Sequence, residues 1–110
     1  MLREVSGNDS KFVREVLADY LDNLFVVRAE IEQAAKRFDH RRISEIAHKL
    51  KSASLSIGAV QLGDISGKLE SAGSSLSKQE FMKIVMVFFE ILDLVRQELV
   101  TILEDELTGE

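Results

Sequence analysis

The stretch DHRRISEIAHKLKSASLSIG, residues 39–58, decides how the rest of the chain is read. It holds a full set of helix signals. Asp39 is a good N-cap, because its carboxylate can accept from backbone N–H groups that the first helical turn leaves unpaired. Ile43, Ile46, Ala47, Leu50, Ala53 and Ile57 then recur at three- and four-residue steps, which sets them on one stripe of a helix. Gly58 supplies the left-handed exit that commonly ends a helix.

Outward from this helix the same period continues on both sides. Upstream, Val13, Val16, Leu17, Tyr20, Leu21, Leu24, Val27, Ile31, Ala34, Ala35 and Phe38 mark one face of a long helix, with Asn8 or Asp9 as its cap. Downstream, Leu62, Ile65, Leu69, Ala72 and Leu76 mark a shorter helix that ends in the Gly73-Ser74-Ser75 region. Ser77-Lys78-Gln79-Glu80 reads as a capping box, and Phe81, Ile84, Val85, Phe88, Leu92, Val95, Leu99 and Ile102 carry the fourth helix onward. The acids of its last turn, Glu104-Asp105-Glu106, oppose the helix dipole, so that end is expected to fray. The expected helices cover approximately 9–37, 40–57, 60–74 and 78–105. Four amphipathic helices with short connections pack most simply as an all-α, antiparallel up-down-up-down four-helix bundle, here one domain over residues 1–110.

Composition agrees with helices and narrows the chemistry. The chain has no proline, cysteine or tryptophan, whereas average usage would give about five prolines in this length. Proline marks turns, sheet edges and linkers, so its absence favours a few long helices over a loop-rich β fold. Without cysteine there is no disulfide framework, thiolate nucleophile or cysteine-based zinc site, and a reducing, cytoplasmic setting is expected. No apolar run approaches the roughly 18 residues of a membrane span, and the opening Met-Leu-Arg-Glu-Val-Ser-Gly lacks the apolar segment of an export signal. The expectation is therefore no membrane partner. A net charge of −5 argues against nucleic-acid binding, which wants a basic surface. The charge is unevenly spread. Lys36, Arg37, Arg41, Arg42, Lys49 and Lys51 face only Asp39 and Glu45 in their segment, a local +4 that also contains both histidines.

His48 falls about 160° from Leu50 around the second helix, which sets it on the solvent face. Arg41, Ser44, Lys51, Ser52 and Leu55 stand one or two turns away on that face. The imidazole is thus expected among cations able to stabilise an anion on its ring, small residues that admit another surface, and one exposed leucine. On the third helix Gly63, Ser66 and Gly67 flank Glu70 and allow close backbone approach, so Glu70 can reach the imidazole and fix its tautomer. A solvated charged face and a plain surface glutamate remain the competing descriptions of these two helices. His40 is expected in the solvated first turn of the second helix.

The run from Ala47 to Ala59, followed by Leu62 and by Leu69-Glu70, resembles the histidine-containing phosphotransfer (HPt) domain, whose pattern is Ala-His-x-Leu-Lys-Gly with a glycine ten residues beyond the histidine. The Gly7-Asn8-Asp9 entry, the Phe12 start of helix one and Asp39 before helix two are similar to it as well. The resemblance implies a phosphocarrier without an ATP-binding or kinase domain of its own. His48 would accept a phosphoryl group from a receiver-domain aspartate and pass it to another receiver. By the same resemblance, Lys51 is the cation beside the phosphoryl group, Ser52 the small position that admits the partner, Gly58 the structural residue at the helix end, and Glu70 the group that steadies the imidazole. The family usually has glycine where this chain has Ser52, which implies slower or more selective transfer. Partners would be response-regulator receivers and a hybrid sensor histidine kinase. Docking would use Arg41, Ser44, Ser52 and Leu55 with an exposed part of helix one, where Phe12 and Val26 leave the buried stripe. The complex is expected to be transient and the protein a monomer with no cofactor of its own, magnesium belonging to the receiver.

Rival chemistries fit less well. A kinase phosphoacceptor box carries a proline soon after its histidine, and this chain has none. Gly63-Asp64-Ile65-Ser66-Gly67-Lys68-Leu69 is one residue short of a P-loop and lacks the hydroxyl residue after the lysine. His40 and His48 are too widely spaced for two ligands one turn apart, so no metal site is expected. There is no Gly-x-Ser-x-Gly nucleophile elbow. The alternative from another class is an interaction module of the same fold that docks receiver or kinase domains without transfer.

Overall fold

The computed structural model describes residues 10–72 and 76–108. Among them are four helices and no strand: α1 (Ser10–Lys36), α2 (His40–Ser56), α3 (Val60–Ala72) and α4 (Lys78–Thr108). The expected cap at Asn8 or Asp9 and the end of helix three at Gly73-Ser74-Ser75 lie outside the described residues. α4 extends through the acidic turn to Thr108.

Local signals set most of the helix ends. Asp39 accepts a hydrogen bond from the Arg42 N–H at 3.1 Å, and Ser77 and Glu80 exchange both capping-box bonds at 3.1 Å. α2 closes with Gly58 in the left-handed region, φ 88°. There the Ala59 N–H donates to the Ser54 carbonyl at 2.8 Å and the Gly58 N–H to Leu55 at 3.2 Å, the paired bonds of a Schellman stop. α1 ends in the same way without a glycine. Phe38 takes φ 51°, while the Asp39 N–H donates to Ala34 at 2.9 Å and the Phe38 N–H to Ala35 at 3.1 Å. A left-handed non-glycine residue costs about 1–2 kcal/mol. Its ring lies under the Lys78 ammonium, 4.4 Å away, a contact glycine would lack. The apolar period carries Phe38 as the last member of a stripe, whereas the structure makes it the turn.

Packing follows the stripes. α2 and α4 each border both α1 and α3, which closes a ring of four helices around Leu24, Ile31, Ile43, Leu50, Leu62, Leu69, Phe81, Val85, Phe88, Leu92 and Leu99, all fully buried. Val16, expected on the stripe of α1, is exposed. Ser54 is also sealed in the core, and its hydroxyl meets the Tyr20 hydroxyl at 2.6 Å. Burial pushes the Tyr20 phenol above its ordinary value, with the Ser54 bond opposing, so the phenol is held neutral as a partner. His40 opens α2 as expected, but it is half-buried there. Its ring packs on Phe81, centroids 4.5 Å apart, and its Nδ1 is buried without a hydrogen-bond partner.

A charged ladder ties α1 to α4. Arg28 donates from Nε and Nη2 to the two carboxylate oxygens of Asp93 at 2.9 and 3.0 Å, and Arg96 donates to the same carboxylate at 3.0 Å. The hydrogen bond from Arg28, opposed by partial burial and aided by both cations, holds the Asp93 carboxyl below the ordinary carboxylate value. A group depressed in the folded state stabilises above its unfolded value, and that contribution disappears as the pH falls through the folded one. Asp93→Asn should therefore cost up to about 1 kcal/mol at pH 7, small because the pair is partly exposed. The deficit should shrink below about pH 4. Urea unfolding of both proteins at pH 7 and pH 3 checks this; an equal deficit at both would remove the ion pair as its cause.

Candidate functional site

The site is built on the seam between α2 and α3. His48 leaves α2 on the side away from Leu50, and its side chain is 65% exposed. Glu70 rises from α3 and brings Oε2 to 2.8 Å from His48 Nδ1. A carboxylate oxygen only accepts, so this network assigns the ring proton to Nδ1 and leaves the lone pair on Nε2. Nε2 has no hydrogen-bond partner among the described residues. The arrangement is an oriented imidazole with one nitrogen tied down and the other available as a nucleophile.

Ser44 has a different place from the one expected. It is half-buried, and its hydroxyl donates to the Glu70 backbone carbonyl at 3.1 Å. That bond fixes the stretch of α3 from which Glu70 projects, so Ser44 supports the site from beneath as well as bordering it. Lys51 is exposed one turn from His48, with no carboxylate partner among the described residues. Ser52 is exposed beside it. Leu55 is 45% exposed, yet its side chain also lies over Gly63, where an added Cβ would come within 2.5 Å of Leu55 Cδ2. This is a close approach of the two helices, and a larger residue at position 63 would have to push the Leu55 side chain aside.

The wider surface is less uniform than the sequence suggests. Arg41 pairs with Glu45 at 3.6 Å and Arg42 with Glu30 at 3.4 Å, so part of the cationic island is neutralised locally. Val26 is exposed on α1. Phe12 is 68% exposed but does not join the cluster. Tyr20 meets Ser54 and Glu30 meets Arg42, so His48 and Phe12 lie on opposite sides of the Tyr20–Ser54 level, about 20 Å apart along the helices. Nothing in the local pattern of either helix states that offset.

Among the described residues, no group of three or more His, Cys, Asp or Glu side chains converges as a metal site, and no helix is long and apolar enough to cross a membrane. Comparison with known proteins returns one finding. The family model of the Hpt domain matches residues 15–107, which takes in His48, Lys51 and Glu70 and reaches into all four helices. No curated protein and no solved structure matched the chain. With an exposed, oriented histidine on a four-helix chain and a family match over most of its length, the protein belongs to the Hpt domain family, whose members are histidine phosphocarriers of two-component phosphorelays.

Proposed function

We propose that this chain is a one-domain phosphocarrier that takes a phosphoryl group onto His48 Nε2 from the aspartyl-phosphate of one receiver domain and delivers it to the aspartate of another. The observation that carries this reading is the 2.8 Å bond between His48 Nδ1 and Glu70 on an otherwise exposed imidazole. In the forward step the Nε2 lone pair forms a bond to phosphorus while the bond from phosphorus to the aspartate oxygen breaks, and the carboxylate leaves with the electron pair. The ring then carries a positive charge, with its Nδ1 proton directed at Glu70, which offsets that charge. Lys51 adds a cation beside the phosphoryl oxygens and moves no proton. Magnesium and the acidic pocket belong to the receiver.

An antiparallel up-down-up-down course for the bundle is part of the proposal. It is supported by the contacts across the α2–α3 and α1–α2 seams: as residue numbers fall from Leu55 through Lys51 to His48, their partners on α3 advance from Gly63 through Gly67 to Glu70. The same opposition holds for Tyr20 with Ser54 and Glu30 with Arg42. Docking would use Arg41, Ser52 and Leu55 around His48, with Val26 beside them and Phe12 reached only by a partner long enough to cover the far end. We place the protein in the cytoplasm as a monomer, with a hybrid sensor histidine kinase upstream and transient receiver complexes on either side.

The test is incubation of the whole chain with phosphorylated receivers, followed by assay of the bound phosphate. Acid-labile, alkali-stable label is expected on this chain. No label from any receiver of the source organism would leave a docking module in place of a carrier. Lys51→Ala should slow transfer by about tenfold, with the circular-dichroism helix signal unchanged. Unaltered kinetics would remove Lys51 from the mechanism.

A further inference from the structure

Two glycines of α3 stand one turn apart under α2, and they are not equivalent. At Gly63 an added Cβ would collide with Leu55, at 2.5 Å from Cδ2 and 2.8 Å from Cγ. At Gly67 it would sit 3.5, 3.7 and 3.9 Å from Cδ, Cε and Nζ of Lys51. Those are ordinary contact distances, so a methyl group fits at position 67 and helix packing does not demand glycine there. Glycine inside a helix nevertheless costs about 1 kcal/mol relative to alanine. What a longer side chain at position 67 would displace is the stem and ammonium of Lys51. The lysine lies along the strip of α3 backbone that Gly67 leaves bare, and no carboxylate holds it among the described residues. A free lysine side chain samples many rotamers, so a lane that accepts its methylenes limits where the charge is found.

We propose that Gly67 is a positioning residue for Lys51: by leaving this lane open it keeps the ammonium on the α2–α3 seam, one turn from His48, where it can meet the phosphoryl oxygens. The inference rests on the phosphocarrier reading and deepens it. Gly67 touches no reacting atom, and its effect on transfer passes through Lys51. Glu70 and Gly67 then act from the same helix, one orienting the ring and the other the cation.

The experiment compares the whole 110-residue chain with Gly67→Ala, Gly67→Leu, Lys51→Ala and the Gly67→Leu/Lys51→Ala double variant, reading the rate of phosphoryl transfer from a phosphorylated receiver. Gly67→Ala should stay within about twofold of wild type, since a methyl fits. Gly67→Leu should fall by about as much as Lys51→Ala, roughly tenfold, and should have no further effect once Lys51 is absent. A nuclear Overhauser contact between the Lys51 ε-methylene and the Gly67 α-protons is expected in the wild-type protein, and this readout needs neither transfer nor a folded leucine variant. The proposal is overturned by a Gly67→Leu variant that transfers at the wild-type rate, by one that slows the Lys51→Ala protein equally, or by absence of the Overhauser contact. A wild-type chain that no receiver labels would overturn the carrier function itself, and the Overhauser contact separates that failure from a misplaced lysine.

Discussion

Replacing His48 with glutamine should abolish acid-labile labelling by every phosphorylated receiver while leaving the bundle folded. Glutamine can still hydrogen-bond to Glu70, so the polar surroundings of the seam stay satisfied, but its amide nitrogen has no lone pair free for attack. The loss should exceed about 1000-fold, because no neighbouring group replaces the imidazole as nucleophile. Ser52 is a neutral hydroxyl, and the Ser44 hydroxyl is committed to the Glu70 carbonyl. Since the His48 side chain is 65% exposed, stability should change by no more than about 0.5 kcal/mol. Transfer assays paired with urea unfolding read both quantities. Label that persists in His48→Gln would move the acceptor elsewhere, with His40, the second of the two histidines, as the first position to examine.

The opposite separation is expected in α4. Phe88 is fully buried and lies beside Phe89, ring centroids 5.8 Å apart. Phe88→Ala should cost about 3–5 kcal/mol, the lost transfer energy of the ring plus the cavity it leaves. That is a large part of the about 5–15 kcal/mol that holds a domain of this size together. The unfolding midpoint should drop sharply, yet the protein that remains folded should still transfer at the wild-type rate, because no α4 side chain contacts His48 or Glu70 through a hydrogen bond or ion pair among the described residues. A loss below about 1 kcal/mol would mean that the core closes around the missing ring. Slowed transfer in fully folded Phe88→Ala would show that α4 reaches the site after all.

Much of this was legible because it is local. The stripe of α2 with Asp39 before it and Gly58 after it needs only a period of 3.6 residues and two residues of known turn chemistry. His48 is exposed for the same reason that Leu50 is buried. The step from Glu70 to His48 was also within reach, because small residues around Glu70 mark a face where helices come close. Other features left no local trace. Phe38 enters the left-handed region without a glycine, and its ring is met by Lys78, forty residues later. His40 looks like a first-turn surface residue until Phe81 is set against it.

By itself the sequence determined four helices, their buried faces, and a solvent-facing histidine in a setting that resembles a phosphocarrier. Only the tertiary structure decided which residue of one helix meets which residue of the next. That register turned Ser44 inward to the Glu70 carbonyl, laid Lys51 along Gly67, tied Arg28 to Asp93, and left Phe12 far from His48. The physical reason is that periodicity fixes rotation about a helix axis, whereas the sliding of one helix against another is set by how side chains of both interlock, and no single helix carries that information.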